Sequence, residues 1–82
     1  MDMKATLKEY IVNDLLNNPE MALANDAALV ESGLINSIGL LQLVAFLEEE
    51  FELEIPFEDV TIVNFADIDA ISDYLGTLRA AA

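Results

Sequence analysis

The sequence contains no cysteine, no histidine and no tryptophan, and only three basic residues among its 82. Without cysteine and histidine there is no disulfide, no thiolate nucleophile, no imidazole base and none of the usual ligands for zinc or a transition metal. The acids do not fill that gap, because the ordered Asp/Asn alternation around a central glycine that marks a calcium loop is absent, and so is a glycine-rich phosphate loop. A hydrolase or transferase acting in its own right therefore lacks its residues, and no metal site is expected. No run of about 18 apolar residues occurs, and the N-terminus lacks the basic-then-apolar layout of an export signal. Neither a membrane span nor export is indicated, and a cytoplasmic location is expected.

Basic charge is scarce in a telling way. Lys4, Lys8 and Arg79 face sixteen acids, giving a net charge of −13, and no basic residue occurs between Lys8 and Arg79. Nucleic-acid affinity comes largely from Lys and Arg displacing counterions, so this surface repels a phosphate backbone. Partners are expected to be proteins with basic docking patches, drawn in by electrostatic steering.

What is present is apolar material in helical order. Hydrophobic residues make up 55% of the chain, enough for one core in a chain this short, and a single domain over residues 1–82, monomeric, is expected. Leu7, Tyr10 or Ile11, and Leu15 recur at three- and four-residue spacing, which predicts an amphipathic helix over about 3–17, capped by Asp2 or Thr6 and stopped by Asn17-Asn18-Pro19. The stretch from Glu20 to Asn36 has no helical period and reads as a long loop. Leu23, Leu29, Val30, Leu34 and Ile35 would anchor it, with a helical turn near 27–31.

A second helix is expected over 37–51, with Asn36 as N-cap, Ile35 packing on Leu40, and Leu40, Leu43, Val44, Leu47 and Phe51 facing the core. Glu48, Glu49 and Glu50 lie in its last turns, against the helix dipole, and point to a role outside the helix. Leu53-Glu54-Ile55 alternates like a strand but has no partner, so it reads as an extended connection to Pro56. A short third helix over 57–61 and a last helix over 67–79, with Ile68, Ile71, Leu75 and Leu78 on one face, complete the all-α reading. The alanines at 80–82 are expected to fray.

Chemistry has one candidate residue. Ser37 stands where the loop turns into a helix, and the first turn of a helix, with unpaired N–H groups and partial positive charge, tolerates an attached anion. Spacing alone does not identify the chemistry, since a solvent-facing serine at a helix start is also an ordinary structural residue. The wider order says more: Gly33-Leu34-Ile35-Asn36-Ser37-Ile38, then a Leu- and Val-rich helix ending Leu47-Glu48-Glu49-Glu50-Phe51, then Ile55-Pro56, Val60 and Asn64-Phe65. Over Leu29 to Leu75 it resembles the acyl and peptidyl carrier protein family.

That resemblance implies a small four-helix bundle with a long loop between helices 1 and 2. It also implies that a separate phosphopantetheinyl transferase attaches phosphopantetheine from coenzyme A to Ser37. The thiol of the arm would hold an acyl or aminoacyl cargo as a thioester for cargo-loading and cargo-using enzymes, and the chain would catalyse nothing itself. Asn36 departs from the family's usual aspartate before the serine, and Ile38 from its usual leucine. The neutral face after Ser37, with Gly39 and Gln42 where carriers of fatty-acid synthesis usually have acids, is closer to aminoacyl or peptidyl carriers, and a D-alanyl carrier remains open.

Ile38, Leu41, Gln42, Ala45, Glu48 and Glu49 are the expected partner-binding residues, Leu41 as an exposed leucine off the core stripe. The acids from Glu48 to Asp59 read either as a solvated face or as part of that docking surface. Gly39 weakens the helix locally and allows a kink or a partner's close approach. The rival class is an acidic helical adaptor with no prosthetic group, in which Ser37 only helps to start a helix.

A net charge of −13 on so small a domain also opposes folding. Moderate sodium chloride, and divalent cations more strongly, should raise the melting temperature by several degrees in a calorimetric scan; an unchanged or lowered melting temperature would show that self-repulsion does not limit stability.

Overall fold

Three helices and a short 3₁₀ turn follow one another in the computed structural model, which describes residues 3–81, with side chains through Arg79. Helix α1 spans Met3–Tyr10 and continues as a π-helical segment, Ile11–Leu15; α2 spans Ser37–Glu50; the 3₁₀ turn is Phe57–Asp59; α3 spans Ile68–Ala81. No strand occurs among the described residues, so the chain is all-α. Where the short third of four helices was expected over 57–61 there is only the 3₁₀ turn, followed by a turn in which Phe65 N–H donates to the Thr61 carbonyl at 3.0 Å.

The first helix differs most from its expected form. It gives up α-geometry at Ile11, and Leu16 N–H donates to the Ile11 carbonyl, five residues back, at 2.8 Å. This wider turn changes which side chains face inward. Leu7, Ile11 and Val12 are buried, whereas Leu15, expected on the core stripe, is half-exposed. The segment ends where Asn17 takes a φ of 50°, a left-handed conformation that asparagine tolerates better than most residues. Thr6 lies inside α1 and does not cap it; Asp2 lies outside the described residues.

Residues 16–36 hold turns and bends, fixed to the body by three buried side chains, Leu23, Leu29 and Ile35. Val30 and Leu34, also expected as anchors, are half-buried, and the turn expected near 27–31 lies at Val30–Gly33, where Gly33 adopts a φ of 83°. Two backbone bonds join this stretch to the start of α3: Leu29 N–H to the Ala66 carbonyl at 2.9 Å, and Asp69 N–H to the Asn25 carbonyl at 3.1 Å. The core that results is shared by all three helices. Leu7 and Ile11, Leu43 and Leu47, and Ile68, Ile71 and Leu75 are each fully buried around Leu29 and Phe65.

Helix α3 begins at Ile68 because Asp67 caps it, its Oδ1 accepting from Ala70 N–H at 2.7 Å. It runs on through Ala81, where fraying was expected. An ion pair of 2.8 Å from Lys4 to Asp69 ties α1 to the first turn of α3, where negative charge also suits the helix dipole.

Between α2 and α3 the chain is held by the buried Ile55 and Phe65 and by polar fastenings. Glu48 Oε2 accepts from Ile55 N–H at 2.8 Å, Asn64 Nδ2 donates to the Asp59 carbonyl at 2.9 Å, and the Tyr74 hydroxyl donates to Asp59 Oδ2 at 2.6 Å. Glu48 and Asp59 are thus structural within the acidic run that read as solvated face or docking surface.

Burial, the hydrogen bond to Asp59 and the Asp59 charge together push the Tyr74 hydroxyl up to about 12, from an ordinary value near 10. The folded state therefore holds this proton more tightly than the unfolded chain. Its contribution is complete below pH 10 and is lost as pH rises from about 10 to about 12. Tyr74→Phe should lower stability near neutral pH by about 1 kcal/mol, discounted for the solvent exposure of the pair. It should also flatten the alkaline loss of stability in urea titrations across that window; an unchanged alkaline slope would assign the loss to other groups.

Candidate functional site

The site is built from the turn into α2. Asn36 has extended backbone, φ −89° and ψ −177°, and its side-chain Oδ1 accepts from Gly39 N–H at 2.8 Å. Its own carbonyl accepts from Leu40 N–H at 2.9 Å, the first bond of the helix. Asparagine does the capping, so Ser37, the first helical residue, has no capping role. Ser37 is exposed, and among the described residues its hydroxyl makes no hydrogen bond.

Gly39 has a specific reason to be glycine. A Cβ there would stand 2.9 Å from Ile35 Cγ2 and 3.4 Å from Asn36 Oδ1. At Gly39, where a kink or a partner's close approach was expected, the close neighbour is the buried Ile35 side chain of the same chain. Ile35 anchors the loop, Asn36 caps the helix and Gly39 gives both room, which fixes the position of Ser37 between them.

Beside Ser37 lies a groove of about 270 Å³, walled by Gly33 to Asn36 on one side and by Ile38, Gly39 and Gln42 on the other, with Leu15 completing it. None of these residues is charged. In a chain of net charge −13, a neutral wall next to a helix N-terminus is a place where a phosphodiester on Ser37 meets little repulsion. The residues present fit such a group. Leu15, expected on the core stripe, is partly buried against the core and also lines this groove from the π-helical segment, a role that its spacing did not announce.

Of the expected partner residues, Ile38 and Leu41 are 68% and 53% exposed, and Gln42, Ala45 and Glu49 are exposed beside them. Their spacing places 38, 41, 42, 45 and 49 on one side of α2. Glu48 departs from the set, being half-buried with its carboxylate on Ile55 N–H. Phe57, Ile62 and Val63, in the connection after α2, are further exposed apolar residues that the periodicity did not single out. Tyr10 and Phe46 stack at 3.9 Å between ring centres and join α1 to α2 on the flank of this side.

A family model described as phosphopantetheine attachment site matches residues 6–75, most of the chain. No curated protein matches. Among the described residues no helix is long and apolar enough to cross a membrane.

The packing at the turn makes a prediction against helix propensity. Gly→Ala inside a helix ordinarily stabilises by up to about 1 kcal/mol, yet Gly39→Ala should lower the urea midpoint, because the β-branched Ile35 has little rotamer freedom to move aside. Ile35→Leu, which takes the branch away from Cβ, should recover part of that loss in the double variant. A stabilised Gly39→Ala protein would show that the contact relaxes freely.

Proposed function

The chain belongs to the phosphopantetheine attachment-site family, and from that premise we propose that it is a carrier protein whose arm is attached at Ser37. The observation that carries the assignment is the division of labour at the start of α2: Asn36 caps the helix and leaves the exposed Ser37 hydroxyl unbonded, while its chain neighbours Asn36 and Ile38 line a neutral groove. What weighs against the adaptor reading, in which Ser37 only helps to start a helix, is the family match over most of the chain.

Domains of this family act as carriers. Phosphopantetheine supplies the thiol that a chain without cysteine lacks, and with it the ability to hold cargo as a thioester. The chain's own residues position and present. Ile35, Asn36 and Gly39 hold Ser37 at the head of α2. Ile38, Leu41, Gln42, Ala45 and Glu49 give a mixed apolar and acidic face to a phosphopantetheinyl transferase and to cargo-handling enzymes with basic patches. Asn36 keeps the cap of the family's usual aspartate without its charge, so transferase contacts here rest on shape and hydrogen bonding at that position. The protein works in the cytoplasm as a monomer, catalysing nothing, in fatty-acid or specialised-metabolite synthesis or as a D-alanyl carrier.

Intact-protein mass after incubation with coenzyme A and a broad-specificity phosphopantetheinyl transferase tests the assignment. A gain of one phosphopantetheine is expected, and no gain in Ser37→Ala. A gain that survives Ser37→Ala, or none with several transferases, would overturn the attachment point.

A further inference from the structure

The chain has six asparagines, Asn13, Asn17, Asn18, Asn25, Asn36 and Asn64. An asparagine loses its side-chain amide when the backbone nitrogen of the next residue attacks its Cγ. That nitrogen must carry a proton, must not be crowded by its own side chain or opposed by a nearby negative charge, and must not be engaged in a hydrogen bond.

Five of the six positions fail on at least one count. Asn18 precedes Pro19, whose nitrogen has no proton. Asn13 and Asn25 precede Asp14 and Asp26, whose carboxylates oppose the negative charge that builds on the attacking nitrogen. Asn25 also keeps its Oδ1 buried. The nitrogens that follow Asn17 and Asn64 are engaged: Asn18 N–H donates to the Val12 carbonyl at 2.7 Å and Phe65 N–H to the Thr61 carbonyl at 3.0 Å. The Asn64 amide is itself held on the Asp59 carbonyl.

Asn36 differs on every count. It is exposed, and so is Ser37, whose side chain is the smallest to follow any of the six. As the first residue of α2, Ser37 has no acceptor within the helix for its N–H. What opposes the reaction is the cap. Asn36 has extended backbone with ψ −177°, and its Oδ1 accepts from Gly39 N–H at 2.8 Å. Ring closure draws Cγ onto the Ser37 nitrogen, which turns the peptide out of that extended arrangement and pulls Oδ1 off Gly39.

We propose that Asn36 is the chain's site of spontaneous deamidation and that its cap bond is the brake on the reaction. The Ser37 nitrogen forms a bond to Asn36 Cγ, the Cγ–Nδ2 bond breaks, and Nδ2 leaves as ammonia with the Ser37 amide proton. Water then opens the cyclic imide at either carbonyl, giving aspartate or isoaspartate. One water enters for each ammonia lost, and nothing is oxidised or reduced.

The two products differ in consequence. The aspartate form keeps a capping oxygen in reach of Gly39 N–H and adds a negative charge where the helix dipole favours it. The isoaspartate form lengthens the backbone before Ser37 by a methylene and shortens the capping side chain by the same. The cap on Gly39 is then lost, and Ser37 leaves its place at the head of α2.

The test holds the full chain in mildly alkaline buffer and maps isoaspartate by peptide mass and by labelling with an isoaspartyl methyltransferase. Isoaspartate should appear first at position 36. In guanidinium chloride at the same pH and temperature, conversion there should be about fivefold faster or more, the factor set by one cap bond. Ser37→Val, whose branched side chain crowds the nitrogen, should suppress it in both conditions. Earlier conversion at another asparagine, or undiminished conversion at 36 in Ser37→Val, would overturn the site; equal rates with and without denaturant would overturn the brake.

The two product forms, separated by ion exchange, are then compared with the parent. The isoaspartate form should have the lower urea midpoint and should accept phosphopantetheine more slowly than the aspartate form; equal behaviour would overturn the stated consequence. The loading comparison alone rests on Ser37 as attachment point. Failure of all forms, the parent included, to load would overturn that reading and leave the deamidation site standing on its own map.

Discussion

The hydrogen bond from Gly39 N–H to the Asn36 side chain is the constraint on which the site depends. It fixes the residue at which α2 starts, and through the helical period it fixes which of the following side chains point inward. A start one residue later would turn the helix by about 100° relative to the loop anchor Ile35. Leu43 and Leu47 could not then both be buried while Ile35 lay under the first turn. The cap also separates two duties that serine often combines, leaving a hydroxyl with no structural task at the head of a rigid element.

Much of this was legible from the residues. The cap at Asn36, the inward positions Leu43, Val44 and Leu47, the anchors Leu23, Leu29 and Ile35, and the inward face of the last helix follow from period and turn chemistry alone, because local rules and tertiary packing agree there. The misses differ in kind. The half-buried Glu48 and Asp59 are decided by bonds to Ile55 N–H and to the Tyr74 hydroxyl, the π-helical turn at Ile11 breaks the regular spacing assumed for the first helix, and the Gly39–Ile35 contact depends on how the loop enters the helix. A glutamate in an acidic run looks the same whether it faces water or a backbone N–H. Leu15 both packs against the core and lines the groove, and spacing announces only the first of those roles.

Charge organises the surface more than it stabilises the fold. Lys4 is paired with Asp69, and the acids of the second helix run toward its C-terminal end, where the dipole does not welcome them. The neutral stretch about Ser37 stands out against this background. An anionic linkage at Ser37, as proposed, would meet the favourable end of the helix dipole there, while Glu49 and Glu50 further along face solvent. One helix thus carries two electrostatic environments, divided at about Gln42.

The connection between α2 and α3 has a different character from the rest of the molecule. Ile55 and Phe65 bury its two ends, Leu53 and Val60 pack partly against the core, and between them it is tied by bonds from Glu48, Asp59, Asn64 and Tyr74. Bonds of that kind exchange with water one at a time, so the stretch between the two buried anchors is the part of the connection with the most room to adjust. Because Phe57, Ile62 and Val63 are displayed on it, the chain presents a compliant apolar rim next to a stiff one on α2. For a carrier of the kind proposed, this divides the surface into a part that keeps register and a part that conforms.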